Sequence, residues 1–169
     1  MVEIRILTQC DAADYWRLRL EALEREPRSF AESAEEHRAT SIELVAARLR
    51  ENGNANFVLG AFLSGELVGV AGFFRHKHLK VRHKGQIWGV YVRANSRGQG
   101  IGRALLSALL EKLKAVPGLE QVNLIVSSSQ VAARGLYRSL GFETFGVERA
   151  ALKSNEQSFD QEHMVLRLK

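Results

Sequence analysis

Three glycines within five positions, Gly98, Gly100 and Gly102, mark the point in this 169-residue chain where a strand pattern gives way to a helical one. Upstream, Gln86-Ile87-Trp88-Gly89-Val90-Tyr91-Val92 reads as a strand. Downstream, residues 100–115 carry an apolar stripe through Ile101, Leu105, Leu106, Leu109, Leu110 and Leu113, with Arg103, Ser107, Glu111 and Lys114 opposite. A helix N-terminus offers unpaired N–H groups and the positive end of the helix dipole, and glycines let an anion approach that backbone. Such a junction makes a phosphate cradle, although a loop whose glycines only tighten the turn would be spelled the same way. Two commoner nucleotide motifs fail the spelling. A P-loop needs Gly-Lys-Ser/Thr, but Gly102 is followed by Arg103-Ala104. The dinucleotide fingerprint needs glycine at the sixth position from Gly98, where Arg103 stands.

The rest of the chain reads as alternating elements. Glu3 to Leu7 alternates as a strand, and Asp11 is placed to cap a helix from Ala12 to Glu26 that Pro27 helps to end. Residues 29–40 read as loop or a short helix, and Ser41 caps a second helix ending near Asn52-Gly53. Two apolar runs, 57–63 and 67–74, flank Ser64-Gly65-Glu66 as a β-hairpin. After Pro117-Gly118, the run Val122-Asn123-Leu124-Ile125-Val126 reads as a strand buried on both sides, and the strand, helix, strand order implies a parallel crossover. Ser127, Ser128 and Ser129 are N-cap candidates for a short helix with Ala133, Leu136 and Leu140 inward and Gly141 at its end. Phe142 to Leu152 and His163 to Leu168 read as closing strands around a polar loop from Lys153 to Gln157.

Composition narrows the function classes. With 46% hydrophobic residues and no repeat or linker, the chain suits one domain over residues 1–169. No run of eighteen apolar residues occurs, and Met1-Val2-Glu3-Ile4-Arg5 is not the start of a signal peptide, so the expected setting is the cytoplasm with no membrane partner. Cys10 stands alone and no Cys/His set has zinc spacing, so no metal is expected. Net charge is +5, and the most biased segment runs from Arg75 to Lys84. That favours an anionic partner without saying which. The segment lacks interleaved aromatics and the chain lacks helix-turn-helix spacing, which argues against nucleic acid.

The spelling Arg97-x-x-Gly100-x-Gly102 resembles the CoA pyrophosphate loop of the Gcn5-related N-acetyltransferase family. The resemblance extends to Val90-Tyr91-Val92, similar to the family's cofactor strand, and to residues 130–142, where Ala133, Leu136, Tyr137, Gly141 and Phe142 match a second motif. Gln130 stands where that motif has Asn, so an amide is retained. Residues 85–142 carry the likeness. It implies an α/β fold, a mixed and mostly antiparallel sheet of six to seven strands flanked by about four helices, with a parallel pair at the cofactor site. It implies acetyl-CoA as cosubstrate, held by Val90, Tyr91, Val92, Arg97, Gly98, Gln99, Gly100, Ile101, Gly102, Arg103, Gln130, Ala133 and Tyr137. The family is often dimeric, which makes a homodimer an assembly to test.

The resemblance also implies direct attack of a primary amine on the thioester. The backbone N–H of Val90 is the candidate oxyanion donor, and Gly89 fits a bulge that would expose it. Tyr137 is the candidate general acid for the leaving thiolate. The amine must lose a proton, and Glu21, Glu148 and His163 are weak base candidates. Trp16, Arg19, Glu21 and Phe30 are candidate walls of the acceptor site. An acyl-CoA-binding sensor without catalysis and a basic nucleic-acid-binding module are the competing readings.

Overall fold

The computed structural model describes residues 1–51 and 53–169. In chain order the elements are β1 (Val2–Ile6), α1 (Ala12–Arg25), α2 (Ala34–Arg38), α3 (Ile42–Arg50), β2 (Asn56–Leu63), β3 (Glu66–Arg75), β4 (Lys84–Val92), α4 (Ile101–Lys114), β5 (Gln121–Ser127), α5 (Val131–Ser139), β6 (Glu143–Ser154) and β7 (Gln157–Arg167). The end expected near Asn52 for the second helix falls on a residue outside those described.

The seven strands form one mixed sheet in the order β1-β2-β3-β4-β5-β7-β6, antiparallel throughout except for β4 beside β5. The apolar stripe of α4 covers one face. Leu105, Leu106, Leu109 and Leu113 are fully buried there against Leu59, Ala71, Phe73 and Ile87. Each contributes about 1.5–3 kcal/mol by leaving water. On the other face α1 and α3 pack Tyr15, Leu18, Ala22, Val45 and Leu49 against Val58, Val70 and Tyr91. The basic run becomes the end of β3, the connection 76–83 and the start of β4, a turn between antiparallel strands.

Local chemistry revises several expectations. Asp11 does not cap α1 with its side chain. Its carboxylate accepts from the Thr8 backbone N–H at 2.7 Å and from Arg5 Nη1 and Nη2 at 2.8 and 2.9 Å, so it closes a capping box around the short 3-10 turn Gln9–Asp11. Ser33 forms a second capping box with Glu36 and starts the single turn of α2. None of Ser127, Ser128 and Ser129 caps α5; Gln130 holds that position with no side-chain cap bond, while Ser127 Oγ lies 3.0 Å from Ser129 Oγ. β5 is not buried on both sides, because Ile125 is 41% exposed. The polar loop expected over 153–157 shrinks to Asn155-Glu156, both at positive φ, and β7 starts at Gln157 and not near His163. Its polar start still belongs in a sheet: Glu162 is buried and accepts from Arg134 and Arg138 of α5.

Candidate active site

The register of the central strands opens the sheet. β4 and β5 pair in parallel only over Lys84–Gln86 and Gln121–Asn123, and beyond those residues they pair no further with each other. The β3–β4 ladder is interrupted at the same level. Gly72 lies opposite Trp88 and Val70 opposite Tyr91, so Gly89 and Val90 together face Ala71 in a bulge. Gly89 sits at φ +61°, where a side chain is disfavoured. A bulge disrupts the ladder and leaves the extra residue unpaired. Trp88 beside it rests on Gly72, where an added Cβ would come within 2.3 Å of the indole.

The gap between the strands encloses about 100 Å³ and is lined by Trp88, Gly89, Val90, Leu124, Val126, Gln130 and Tyr137, among others. It adjoins a larger cleft of about 420 Å³ with which it shares Val90, Ala133 and Tyr137. The cleft runs to the N-terminus of α4. Of the expected cofactor residues, Val90, Tyr91, Val92, Arg97, Gly98, Gly100, Ile101, Gly102, Arg103, Ala133 and Tyr137 line it. Gln99 is exposed outside its lining, and Gln130 lines the gap instead. Gly100 is the N-cap of α4 at φ +76°, and a Cβ there would meet nothing within 4 Å. The loop therefore uses glycine for its backbone conformation and leaves open space over the first turn of the helix.

Arg97 donates from Nε to the Val92 carbonyl at 2.9 Å and lies over the Tyr91 ring. Its Nη2 donates to Glu26 Oε1 at 3.0 Å, and Gln130 Nε2 donates to Glu26 Oε2 at 2.8 Å. Glu26, at the end of α1, thus ties the glycine loop to the start of α5 and itself lines the cleft. Sequence reasoning missed it together with Ser29, another cleft residue. Only Pro27, which turns the chain out of α1, hinted that this end had a task; nothing local links Glu26 to partners 71 and 104 residues away.

Tyr137 is buried and forms an edge contact with Phe142, and its hydroxyl has no hydrogen-bond partner among the described residues. Burial pushes its phenol up, so the hydroxyl keeps its proton at neutral pH. Among the described residues lining the gap it is the only titratable one. Glu21 lies elsewhere: it accepts from the Tyr91 hydroxyl at 3.1 Å and from Arg93 Nε at 3.2 Å, with Arg25 Nε 3.7 Å away. Burial first, and then the Glu21 charge, push the Tyr91 phenol up to about 12. His163 pairs with Glu148 at 3.3 Å, and neither lines the gap. Of the expected acceptor walls, Phe30 lines both cleft and gap, and Arg19 lies over its ring. Trp16 donates to the Thr40 carbonyl and stacks on His37.

The profile of the acetyltransferase (GNAT) family matches residues 16–142, three quarters of the chain and the whole stretch that builds the cleft. The chain belongs to this family. A GNAT acetyltransferase from Streptococcus pneumoniae superimposes with a TM-score of 0.90 over 100% of both chains at 23% identity. A GNAT superfamily phosphinothricin acetyltransferase from Sinorhizobium meliloti, in complex with acetyl-CoA, superimposes with a TM-score of 0.84 over 98% of this chain and 88% of that one at 22% identity. In sequence, an L-methionine sulfoximine/L-methionine sulfone acetyltransferase of Pseudomonas aeruginosa is 46% identical over 57 residues, 34% of this chain and 33% of that relative. The match to this curated relative thus spans about a third of its length. As a GNAT protein the chain has the mixed sheet with the parallel pair expected from its motifs, with seven strands and five α-helices among the described residues. Among the described residues no helix is long and apolar enough to cross a membrane.

Proposed function

We propose that this chain transfers the acetyl group of acetyl-CoA to a primary amine by direct attack. The observation that carries the reading is the parting of β4 and β5 after Gln86 and Asn123, which opens a gap onto Tyr137 next to a cleft ending at the α4 N-terminus. The cleft fits an acyl-CoA: the open space over Gly100 and the first turn of α4 suits a pyrophosphate, with Arg97 and Arg103 on its walls. Val90, Tyr91 and Val92 would flank the pantetheine arm, Ala133 would pack against it, and Gly98, Ile101 and Gly102 would shape the phosphate end. Gln130 would contribute from the gap, and Gln99 from the outer side of the loop. Acetyl-CoA supplies an acyl group activated as a thioester.

The chain supplies charge and proton control. Gly89 and Val90 form the bulge that interrupts the ladder, and the Val90 N–H would stabilise a developing oxyanion there. Tyr137, kept protonated by burial, donates to the departing thiolate. Glu21 enters as the anchor of Tyr91 and Arg93. With no carboxylate lining the gap, the acceptor's proton leaves to water, so activity rises with pH toward the amine pKa of about 10.4.

The test is thermal shift with acetyl-CoA, CoA and DNA, followed by thiol release against a panel of amines. Stabilisation by acetyl-CoA with thiol release that grows from pH 7 to pH 9 is the expected result. Binding of CoA with no thiol release from any amine would support the sensor, and stabilisation by DNA alone would support the nucleic-acid module.

A further inference from the structure

A separate cavity of about 350 Å³ lies between α1, α3 and the strands β2 and β4, on the face of the sheet opposite α4. It shares Glu51, Asn56 and Trp88 with a groove of about 800 Å³ that reaches the basic turn between β3 and β4. Trp88 also lines the β4–β5 gap, so all three spaces meet at its indole. On the side of the gap, Arg19 of the cavity lies over Phe30, and its Nη1 would come 3.5 Å from a Cβ built at Gly89. The floor of the groove is one face of β3 and its continuation. Trp88 rests on Gly72, and Phe74 and His76 follow at alternate positions with their rings in edge contact.

The turn holds the charge imbalance of the whole chain. Residues 75–84 contain five Lys and Arg and no acid, and the nineteen Lys and Arg outside them equal the nineteen Asp and Glu of the chain. Elsewhere exposed cations find acids, as Arg17 does with Asp14, Arg38 with Glu24 and Arg149 with Asp160. In the turn none does among the described residues. Arg75 donates to the Arg82 and Pro117 carbonyls, and the Lys77, Lys80 and Arg82 side chains stand exposed without a partner. Lys77 and His78 line the groove, while Glu120 lies on the other side of the turn with Leu79 and Pro117. Free cations at the end of a groove suit an anionic ligand, because no existing ion pair has to be displaced. Glu51 decides the kind. It stands where cavity and groove meet, between the gap and the turn. There it repels a chain charged at every unit, as a nucleic acid is, and tolerates a polypeptide whose acids are spaced.

We propose that the acceptors are polypeptides whose acidic residues dock on the basic turn while their amine reaches the gap. The inference rests on the acetyl-transfer reading above and names the substrate class of that site. Ala71, opposite the bulge, and His76 are five residues apart along β3 and its continuation. At the rise of a strand, the turn lies about 17 Å from the reacting end. An extended acceptor rises by the same step, which puts its acids about five residues from the amine. Lys77 and Lys80 are then specificity-determining residues, and Glu51 disfavours an acid close to the amine.

The experiment measures thiol release from acetyl-CoA with alanine-serine peptides in two sets, one with a free N-terminal amine and one with a blocked N-terminus and a leading lysine. In each set the residues at roughly the fifth to seventh positions are glutamate, glutamine or lysine. The glutamate peptide is expected to exceed the glutamine peptide in kcat/KM by about tenfold, the yield of a few exposed ion pairs. The gain should lie in the peptide KM and vanish near about 1 M salt. Glutamates moved next to the amine should lose it. Lys77→Glu combined with Lys80→Glu changes two exposed, unpaired side chains, so the fold is kept. That variant should use the lysine peptide best, with the acetyl-CoA KM and the use of the glutamine peptide unchanged. Equal use of the three peptides overturns the docking site, and so does a preference that ignores position or survives in the double variant. Should equal use coincide with a DNA duplex that binds the parent and not the double variant, the turn belongs to nucleic acid. No release from any peptide, with release from a small amine, overturns the polypeptide class and leaves acetyl transfer standing. No release from peptides or amines, with acetyl-CoA still raising Tm, overturns both.

Discussion

The cleft at α4 and the cavity under α1 and α3 flank one strand, β4, yet they are built by different means. The cleft is mostly backbone: a glycine N-cap at φ +76°, a helix N-terminus, a bulge, and a strand that parts from its neighbour. The cavity is mostly side chain: Tyr15, Arg19, Glu32, Arg48 and Trp88 meet there from elements far apart in sequence. Backbone devices tolerate few residue types, so they leave a spelling. Side-chain cavities can be furnished in many ways, so a protein can keep its donor chemistry while its acceptor changes.

That contrast can be broken experimentally. The largest effect is expected at Tyr137. Tyr137→Phe should lower kcat by about a hundredfold or more, the usual range for a general acid, with acetyl-CoA affinity nearly intact. Equal turnover of mutant and parent across the pH range would remove Tyr137 from the chemistry. Because burial raises the Tyr137 phenol, the parent should also show no loss of rate from its ionisation below pH 10.

Next comes the loop. Gly100→Ala meets no steric obstacle, so its cost is the left-handed backbone alone, about 1–2 kcal/mol in urea unfolding. A stability equal to that of the parent would show that the loop can adopt another conformation.

A smaller effect of opposite sign is expected at Glu26. Glu26→Gln keeps one acceptor oxygen for Arg97 and replaces the other with an amide N–H that the Gln130 side chain can accept from after flipping; it removes the negative charge, and should tighten acetyl-CoA binding by a few fold in calorimetry. Weaker binding would instead make Glu26 a ligand-holding group.

The smallest effect lies far from either site. Hydrogen bonds from Arg5 and Thr8 hold the Asp11 carboxyl below its ordinary value. A carboxyl lowered in the folded state stabilises above its unfolded pKa, and that stabilisation is lost as pH falls through the native value. Asp11→Asn should therefore cost about 1 kcal/mol near pH 7 and progressively less in acid, in parallel melts at pH 7 and pH 3.

Legibility followed the same division. Gly100, Gly141 and the Gly89 bulge could be read because a positive φ demands glycine within a few residues of a recognisable strand or helix. Tyr137 was legible only through the resemblance of residues 130–142 to the family's second motif, since a tyrosine beside Leu136 on a helix otherwise reads as core packing. Arg48 and Tyr15 look like ordinary residues of amphipathic helices, and periodicity does not reveal which cavity a helix face meets. The start of β7 was missed for a related reason. Ser158-Phe159-Asp160-Gln161-Glu162 is polar, and it lies in the sheet because Arg134 and Arg138 neutralise Glu162. Ile125 misled in the opposite direction, being apolar and exposed on the open face of β5.

The Glu26 bridge bears on how strongly any anion can be held at the glycine loop. Arg97 already has a carboxylate at 3.0 Å, so an incoming phosphate does not meet a bare cation. It exchanges one counter-charge for another, and the net gain is the difference between two similar attractions. Retention of the ligand then depends mainly on the oriented N–H groups at the start of α4, whose N-cap Gly100 brings no side-chain cap bond.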